Sequence, residues 1–322
     1  MSRESYMDFL KGIAILAVIV GHSVANIANL ALPYNVIYSF HMPLLIYISA
    51  YIEEKYRTKY AERMYRMLIK RAITLLIPYL SWTIIYGVAS EGALYLCSKS
   101  FLNDLLGYTA SGLWFLAVLF GLKCMHLGYW YLQSKFSIQN LILDFISIFM
   151  LAMVVLLLAI CTKHPFIINM LSYAIPYFTG VLIAGKEKIR TFVKQQWVIA
   201  TSMLTYVVMF QFFSFYDTTW ITQVLRIGLS LCVIVICCSI EDSWKTDNAL
   251  KRLVCIAGKN SMEIYLLHGF MLDYKEIIMR ADSTYLGTAL AILFSAGVAI
   301  ACILLAKLLD VSIYCKKILF GK

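Results

Sequence analysis

Residues 9–31 read FLKGIAILAVIVGHSVANIANLA, a mostly apolar run interrupted by Lys11 and His22. A helix needs roughly 20 consecutive, predominantly apolar residues to cross the hydrocarbon core of a bilayer, and this run is long enough. It lacks a clear small-residue site at which a signal peptidase would cleave. We therefore expect a first transmembrane helix that is retained in the protein.

The same pattern recurs along all 322 residues, of which 61% are hydrophobic and only 14% charged, with a mean hydropathy of +0.78. Soluble globular proteins carry about 25% charged residues, and disordered chains lack this much apolar surface. Apolar runs occupy residues 9–31, 35–52, 72–97, 112–131, 140–161, 166–184, 197–214, 220–240, 260–279 and 285–309. These runs are too long for the strands of a membrane barrel. We predict an all-α, polytopic integral membrane bundle of about ten transmembrane helices, forming a single domain over residues 1–322.

Basic residues are distributed unevenly among the segments that join these runs. If the N-terminus is cytoplasmic, the outer segments hold only Lys99, Lys163, Lys275 and Arg280. The inner segments then hold about five times as many basic residues, and such an excess is typical of cytoplasmic loops. We therefore expect both termini in the cytoplasm. We attribute the net charge of +10 to this topology and expect no nucleic-acid partner.

The cysteines and histidines predict neither a disulfide framework nor a metal site. The nine cysteines lie in or beside apolar runs without a Cys-x-x-Cys pair, and the five histidines are far apart in sequence. Free cysteines in such surroundings behave as small apolar residues, whereas zinc sites need closely spaced ligands. We expect no bound metal.

Ionisable side chains inside apolar runs are costly, so each is a candidate functional residue. Lys123 and His126 lie near a predicted cytoplasmic helix end, where the polar tip of a side chain can reach the interface, and Asp144 also lies near a boundary. Glu91 and Arg226 lie deeper. They fit either a structural pair between helices or a functional role.

Lys11 and His22 share one face of the first predicted helix. Eleven residues at about 100° each make three turns plus about 20°, and the two Cα atoms lie roughly 16 Å apart along the axis. With Lys11 at the cytoplasmic interface, His22 would lie near the middle of a hydrocarbon core about 30 Å thick. An imidazole can take up and return a proton near neutral pH. The alternative interpretation of His22 is a hydrogen-bonding group between helices.

Further short motifs follow Lys11-x10-His22 in order along the chain. They are YSFHMPLLIYIS at 38–49, Arg71 with LLIPY at 75–79, LWFL at 113–116 and GKNSMEIYLLH at 258–268. Together they resemble the signatures of the membrane-bound acyltransferase 3 family, whose members O-acylate cell-surface glycans. The chain is most similar to the short, single-domain members related to the fucose 4-O-acetylase group. It departs from the family pattern at Ala50, where a glycine is usual, and at Thr74, where the family has the second arginine of a basic pair.

The resemblance implies O-acyl transfer, commonly of an acetyl group, from an acyl-CoA such as acetyl-CoA. The implied acceptor is a hydroxyl of a cell-surface glycan or of a lipid-linked saccharide precursor. The implied location is the bacterial plasma (inner) membrane, as a multi-pass protein. His22 would act as the general base on the acceptor hydroxyl, or as a transient acyl carrier if the acceptor arrives from the far side.

Basic residues on the predicted inner face suit the phosphates of coenzyme A. Arginine recognises phosphate in a bidentate manner, while lysine supplies a compact charge. The candidate donor-binding residues are Lys11, Arg63, Arg66, Lys70 and Arg71. Alternatively, these residues set the orientation of the protein and attract anionic lipids.

A second group of polar and aromatic residues suits the acceptor. The candidates are His41, Trp114, Asn260, Ser261, Glu263, Tyr265 and His268. Ser261, Tyr265 and His268 are spaced i, i+4 and i+7, so they form one stripe on a helix. The alternative interpretations are helix-interface hydrogen bonds for this stripe, an N-cap for Asn260 and an interfacial position for Trp114.

Two other kinds of protein would also carry charges in the membrane. One is a transporter or flippase for a glycan or lipid-linked precursor. The chain shows no paired, Gly- or Pro-broken segments in corresponding halves, which such transporters often contain. The other is a non-catalytic sensor or assembly partner, in which His22 would only pack.

Overall fold

The structure is a computed structural model that describes residues 2–57, 64–105, 112–136, 140–215, 217, 219–244, 248–272, 274–281 and 283–322. This part of the chain contains helices and no strand, which confirms the predicted all-α fold. The α-helices are α1 (Ser2–Val24), α2 (Ala31–Tyr38), α3 (His41–Lys55), α4 (Met64–Glu91), α5 (Lys99–Leu105), α6 (Trp114–Phe136), α7 (Leu141–Thr162), α8 (Pro165–Gly185), α9 (Glu187–Val193), α10 (Gln196–Phe210), α11 (Trp220–Ile240), α12 (Ala249–Lys259), α13 (Ser261–Leu267), α14 (Lys275–Met279), α15 (Thr284–Leu309) and α16 (Ile313–Phe320).

Eight helical segments among the described residues are long and apolar enough to cross a membrane. They are Ser5–Val24, Ala31–Lys55, Arg66–Glu91, Trp114–Phe136, Leu141–Thr162, Pro165–Gly185, Trp220–Ile240 and Thr284–Leu309. These segments fit a multi-pass membrane protein. Two of the ten predicted spans differ: run 197–214 forms the shorter helix α10, and run 260–279 is not one helix.

Residues 260–279 form separate helical segments, because the polar residues in this run prevent one continuous helix with an apolar surface. Helix α13 ends at Leu267, a 3-10 turn covers His268–Met271, and the five-residue helix α14 begins at Lys275. A continuous helix would carry the charges of Lys275 and Glu276 into lipid, which is costly.

The chain separates into two compact units, each built from two stretches of sequence. The first unit comprises residues 1–55 and 179–308, and the second comprises residues 56–178 and 309–322. The single domain predicted for residues 1–322 stays a prediction.

In the first unit, α1 is the central element and packs against α2, α3, α12, α13 and α14. Around its C-terminal end lies a cluster of buried apolar residues: Val20, Val24, Ile27, Leu30, Tyr34, Ile278 and Ala291. These side chains come from α1, α2, α14, α15 and the segment after α1, so the cluster holds the end of α1 in place.

Two glycines let α1 and α12 touch backbone to backbone. A Cβ atom at Gly258 would lie 1.7 Å from the carbonyl oxygen of Asp8, and one at Gly12 would lie 2.0 Å from that of Val254. No side chain fits at either position, so only glycine permits this crossing. Lys11 precedes the crossing by one residue.

In the second unit, α4 packs against α5, α6 and α16, and α6 packs against α7. The indole N–H of Trp82 donates to the carbonyl of Leu319 at 2.7 Å, which ties α16 to α4. Gly321 ends α16 with a φ of 67°, and its Cα approaches the backbone of Thr74 so closely that a Cβ would lie 2.3 Å from the Thr74 oxygen. The C-terminal helix is therefore fixed along α4.

Candidate active site

His22 lies two residues before the C-terminal end of α1. The sequence predicted a span over residues 9–31 with His22 near its middle, but the helix begins at Ser2 and ends at Val24. The next residue, Ser23, donates to the Ile19 carbonyl at 2.8 Å and is hydrogen-bonded to the Tyr274 hydroxyl. The bond to Tyr274 holds this end of α1 against the segment that follows α13.

The His22 ring faces the ring of His268. The two ring centroids are 5.3 Å apart with 34° between the planes. His268 is buried, and its Nδ1 lies 2.7 Å from the Tyr265 carbonyl and 3.1 Å from the Ile264 carbonyl. A carbonyl oxygen only accepts hydrogen bonds, so Nδ1 carries the proton and Nε2 is the basic nitrogen of the neutral ring.

His41 has the same local arrangement at the start of α3. Its ring is buried, and its Nδ1 donates to the Ile37 carbonyl at 2.8 Å. The Tyr38 ring meets it edge-on at a centroid distance of 4.7 Å. Tyr38 also packs onto α1 at Gly21, where a Cβ would lie 3.0 Å from the tyrosine ring. His41 is thus placed close to the residue that precedes His22.

Arg226 of α11 lies near His41 as well. Arg226 and His22 both act electrostatically on the His41 ring, so all three lie in one part of the first unit. Arg226 also donates to the side-chain oxygen of Gln223 at 2.5 Å. Arg226 lies within electrostatic reach of His41 and is bonded to Gln223, so both its structural and its functional interpretation stay predictions.

The structure therefore brings together three predicted site residues from separate elements: His22, His41 and His268. Within the described residues, no group of three or more His, Cys, Asp or Glu side chains is arranged to hold a metal ion. In His41 and His268, Nδ1 is tied to a backbone carbonyl, so the free lone pair of the neutral ring is at Nε2. An imidazole such as His22 can take up and return a proton near neutral pH.

The other acceptor-binding candidates of this segment lie in or beside α13. Glu263 and Tyr265 are buried in α13, and Ser261 is half-buried at its start. Asn260 does occupy the N-cap position of α13, but its side chain makes no capping bond there. Instead its amide donates to the Ile256 carbonyl at 2.8 Å, so the side chain ends α12.

Lys11 is half-buried on α1, beside the crossing with α12. Helix α1 runs unbroken from Lys11 to His22, so the expected axial separation of roughly 16 Å on one face holds. Helix α12 carries further cations that the sequence did not single out: Lys251, Arg252 and Lys259. Helix α12, which crosses α1 beside Lys11, therefore carries three cations of its own.

Cys255 lies on α12 beside the crossing with α1. It is buried and its thiol donates to the Ser5 carbonyl at 3.3 Å. Burial raises the pKa of the Cys255 thiol, the Asp8 carboxylate acts in the same direction, and Lys259 acts against it. Asp8 and Lys259 thus both lie close to Cys255.

The other predicted donor-binding residues belong to the second unit. Arg63 lies outside the described residues. Arg66 and Lys70 are exposed on α4, one helical turn apart, and Arg71 is half-buried.

Trp114, predicted to bind the acceptor, stacks on Tyr173 with a centroid distance of 5.3 Å and 24° between the planes, so one face of its indole is already covered.

The second unit also contains a polar network that the sequence interpretation missed. Lys123, His126 and Asp144 are buried, with Asp144 fully excluded from solvent. The expectation that Lys123 and His126 reach the interface is therefore wrong. Tyr129 and Gln133 donate to Asp144 Oδ1 at 2.8 and 2.7 Å. The spacing of residues 126, 129 and 133 along one helical face was the signal that could have revealed the network.

The network extends to the segment that follows α3. The guanidinium of Arg57 donates to the Gln133 side-chain oxygen at 2.5 Å and lies 5.2 Å from the centre of the Trp130 ring. His126 Nδ1 and the Tyr177 hydroxyl are hydrogen-bonded at 3.1 Å. Paired buried groups of this kind join helices firmly, because leaving any of them unpaired would cost free energy.

Comparison with known proteins yields one family and one relative of similar length. The family model described as an acyltransferase domain, acyltransferase 3, matches residues 4–307. Nodulation protein NolL of Sinorhizobium fredii (strain NBRC 101917 / NGR234) is 27% identical over 334 residues, covering 93% of this chain and 86% of that protein. No solved structure matches the chain.

Proposed function

Because this chain belongs to the acyltransferase 3 family, we propose that it is a membrane-bound O-acyltransferase that moves an acetyl group from acetyl-CoA to a glycan hydroxyl. Family membership supports acyl transfer as the type of reaction. The donor, the acceptor and the residue roles are our proposal. The observation that carries it is His22, which lies on the same helix face as Lys11 and against the buried ring of His268.

His22 acts as the general base in this proposal. Its imidazole takes the proton of the acceptor hydroxyl while the hydroxyl oxygen attacks the thioester carbonyl carbon. The carbon–sulfur bond breaks, and His22 returns the proton to the departing thiolate of coenzyme A. For an acceptor that arrives from the far side of the membrane, His22 would instead carry the acyl group transiently.

Lys11 holds the donor in this proposal. Coenzyme A carries several phosphate charges, and Lys11 stands beside α12 with its additional cations. Arg63, Arg66, Lys70 and Arg71 form a second basic segment, for which we propose the same ligand. A pantetheine arm is long and narrow, and we propose that it spans the roughly 16 Å between Lys11 and His22 along α1.

The acceptor is a hydroxyl of a cell-surface glycan or of its lipid-linked precursor. His268 contacts His22, Tyr265 lies against His268, and His41 lies within electrostatic reach of His22. We propose that these polar and aromatic groups bind the sugar, since sugars are bound by hydrogen-bonding groups together with aromatic rings. We also assign Asn260, Ser261, Glu263 and Trp114 to acceptor binding. Support for the first three is their place in or beside α13, which also carries Tyr265.

We place the protein in the bacterial plasma membrane with both termini in the cytoplasm. The asymmetric distribution of Lys and Arg supports this orientation. It puts the Lys11 end of α1 at the cytosolic face, where acyl-CoA is available.

The proposal is tested with His22→Ala. The variant should insert and fold like the wild type but lose acyl incorporation, measured as the missing acetyl mass on surface polysaccharide. His164→Asn is the matched control: His164 lies between α7 and α8, where its Nδ1 accepts a bond from Phe166 N–H that asparagine can also accept. We expect full acylation in this control.

Two outcomes would contradict the proposal. Unchanged acylation in a folded His22→Ala protein would remove His22 from the mechanism. Purified wild-type protein that moves a glycan across vesicles without acetyl-CoA, and acetylates nothing, would identify a transporter or flippase instead.

A further inference from the structure

His268 is held more rigidly than its neighbour His22. The His268 ring is buried, and two carbonyl oxygens of its own helix, those of Ile264 and Tyr265, receive the Nδ1 proton. Rotation of the ring would break both bonds inside a region that excludes water, which costs free energy. The ring is therefore fixed in both orientation and tautomer.

The fixed ring covers one side of His22. The centroid distance of 5.3 Å and the tilt of 34° place the two rings in direct contact. His268 is attached to a segment that is itself anchored to α1 through the bond between Ser23 and Tyr274. The orientation of His22 thus depends on a neighbour whose own position does not vary.

His22 is half-buried beside the buried ring of His268, so a proton taken up there creates a cation that water stabilises only in part. In such a low-dielectric environment, fixed dipoles act more strongly than they do in water and need no reorganisation during the reaction. The neutral His268 ring offers an electron-rich face and a nitrogen lone pair at Nε2, since Nδ1 holds the proton. This distribution of partial negative charge favours a positive charge on the neighbouring ring.

We propose that His268 is a positioning residue for acyl transfer: it orients His22 and stabilises the imidazolium that forms there. This inference rests on the proposed function. The proton passes from the acceptor hydroxyl to His22 and then to the thiolate, and the bond between the acyl carbon and the acceptor oxygen replaces the carbon–sulfur bond. His268 stays neutral throughout and gains or loses no proton.

Two substitutions test the roles of the two ring nitrogens of His268 separately. In His268→Asn the side-chain amide nitrogen lies where Nδ1 was, so the bond to the Tyr265 carbonyl and the fold are kept, but the ring in contact with His22 is lost. In His268→Gln the longer side chain brings a carbonyl oxygen close to the position of Nε2. Glutamine therefore restores a partial negative charge beside His22.

The experiment measures kcat and KM for acetyl-CoA on purified wild-type protein and both variants in detergent, with activity expressed per folded protein. For His268→Asn we expect kcat to fall about 100-fold with little change in KM, because the lost interaction exists only once His22 is charged. His41 and Arg226, which lie in the same part of the unit, are unchanged in both variants, so the comparison isolates the effect of His268. The acid limb of the pH profile of His268→Asn should move to lower pH, since the charged form of His22 is less favoured. His268→Gln should recover part of kcat.

The outcomes distinguish this inference from the function on which it rests. Wild-type kcat and an unchanged pH profile in His268→Asn, beside an active wild type, would overturn the role of His268 alone. A variant that only yields less folded protein, with normal kcat per folded molecule, would reduce His268 to a packing residue and overturn the inference as well. A folded wild type that transfers no acetyl group would refute the proposed function, and the role of His268 with it.

Discussion

The five histidines of this protein show that neighbours decide what a residue can do. His164 accepts a backbone hydrogen bond at the start of α8, and His126 is bonded to Tyr177 within a buried network. His41 and His268 each have Nδ1 tied to their own helix. His22 lies in contact with the ring of His268 and shares a helix face with Lys11. For these two reasons we assign catalysis to His22.

Lys11 gives a prediction at the same scale. Lys11→Ala should raise KM for acetyl-CoA about 10-fold with a smaller effect on kcat, because a charge-assisted bond to phosphate is worth roughly 1.5–3 kcal/mol. Lys11→Arg should retain most of the affinity. The check is steady-state kinetics at varied acetyl-CoA, with the exposed Lys188 of α9 changed to alanine as the control. An unchanged KM in Lys11→Ala would exclude Lys11 from donor binding.

Among the helices, the crossing of α1 and α12 matters most for the candidate site. Gly12 and Gly258 let the two backbones touch, and this contact places Lys11 next to the crossing with α12. The sequence alone does not distinguish these glycines from others in the apolar runs. Glycines lower the stability of isolated helices, so those retained here need a packing reason, and the crossing provides it.

We expect Gly258→Ala to destabilise the protein by about 1–3 kcal/mol or more, because the added methyl group would overlap the Asp8 carbonyl and force the helices apart. Gly297→Ala on α15 is the matched control, since no atom lies within 4 Å of its Cβ position. The control should be neutral or slightly stabilising, as alanine favours helix. Thermal unfolding in detergent compares the two, and equal melting temperatures would contradict the close crossing.

At the scale of the whole molecule, orientation in the membrane follows from charge. The proposed topology puts the segment that joins α4 to α6 outside and the C-terminus inside. Cys97, in the short 3-10 helix that follows α4, is exposed and lies beyond Arg66–Glu91, the helical segment long and apolar enough to cross the membrane. It is therefore a natural probe of the outer face.

A membrane-impermeant maleimide should label wild-type protein in intact spheroplasts, and Cys97→Ser should weaken that labelling. In a Cys97→Ser, Cys161→Ser background, Lys322→Cys should react only after the membrane is permeabilised. Mass spectrometry of the labelled peptides reads out both results. Labelling of Lys322→Cys in intact spheroplasts would reverse the orientation and move the Lys11 end of α1 away from the cytosol.

Most of the helical architecture could be predicted from the sequence, because long apolar runs have one stable form in lipid. The run at 260–279 could not, since its apolar content suggested a span while the charges of Lys275 and Glu276 opposed one. The burial of Lys123 and Asp144 was also out of reach. Whether such groups meet partners or water depends on which helices pack together.

The sequence by itself determined the helical membrane character of this protein and the shared face of Lys11 and His22, because bilayer thickness and the pitch of one helix are local constraints. Its short motifs also indicated the family. Only the tertiary structure decided that His268 and His41 stand around His22. They lie on separate elements, and the direction of each element is set by packing contacts between residues far apart in the chain.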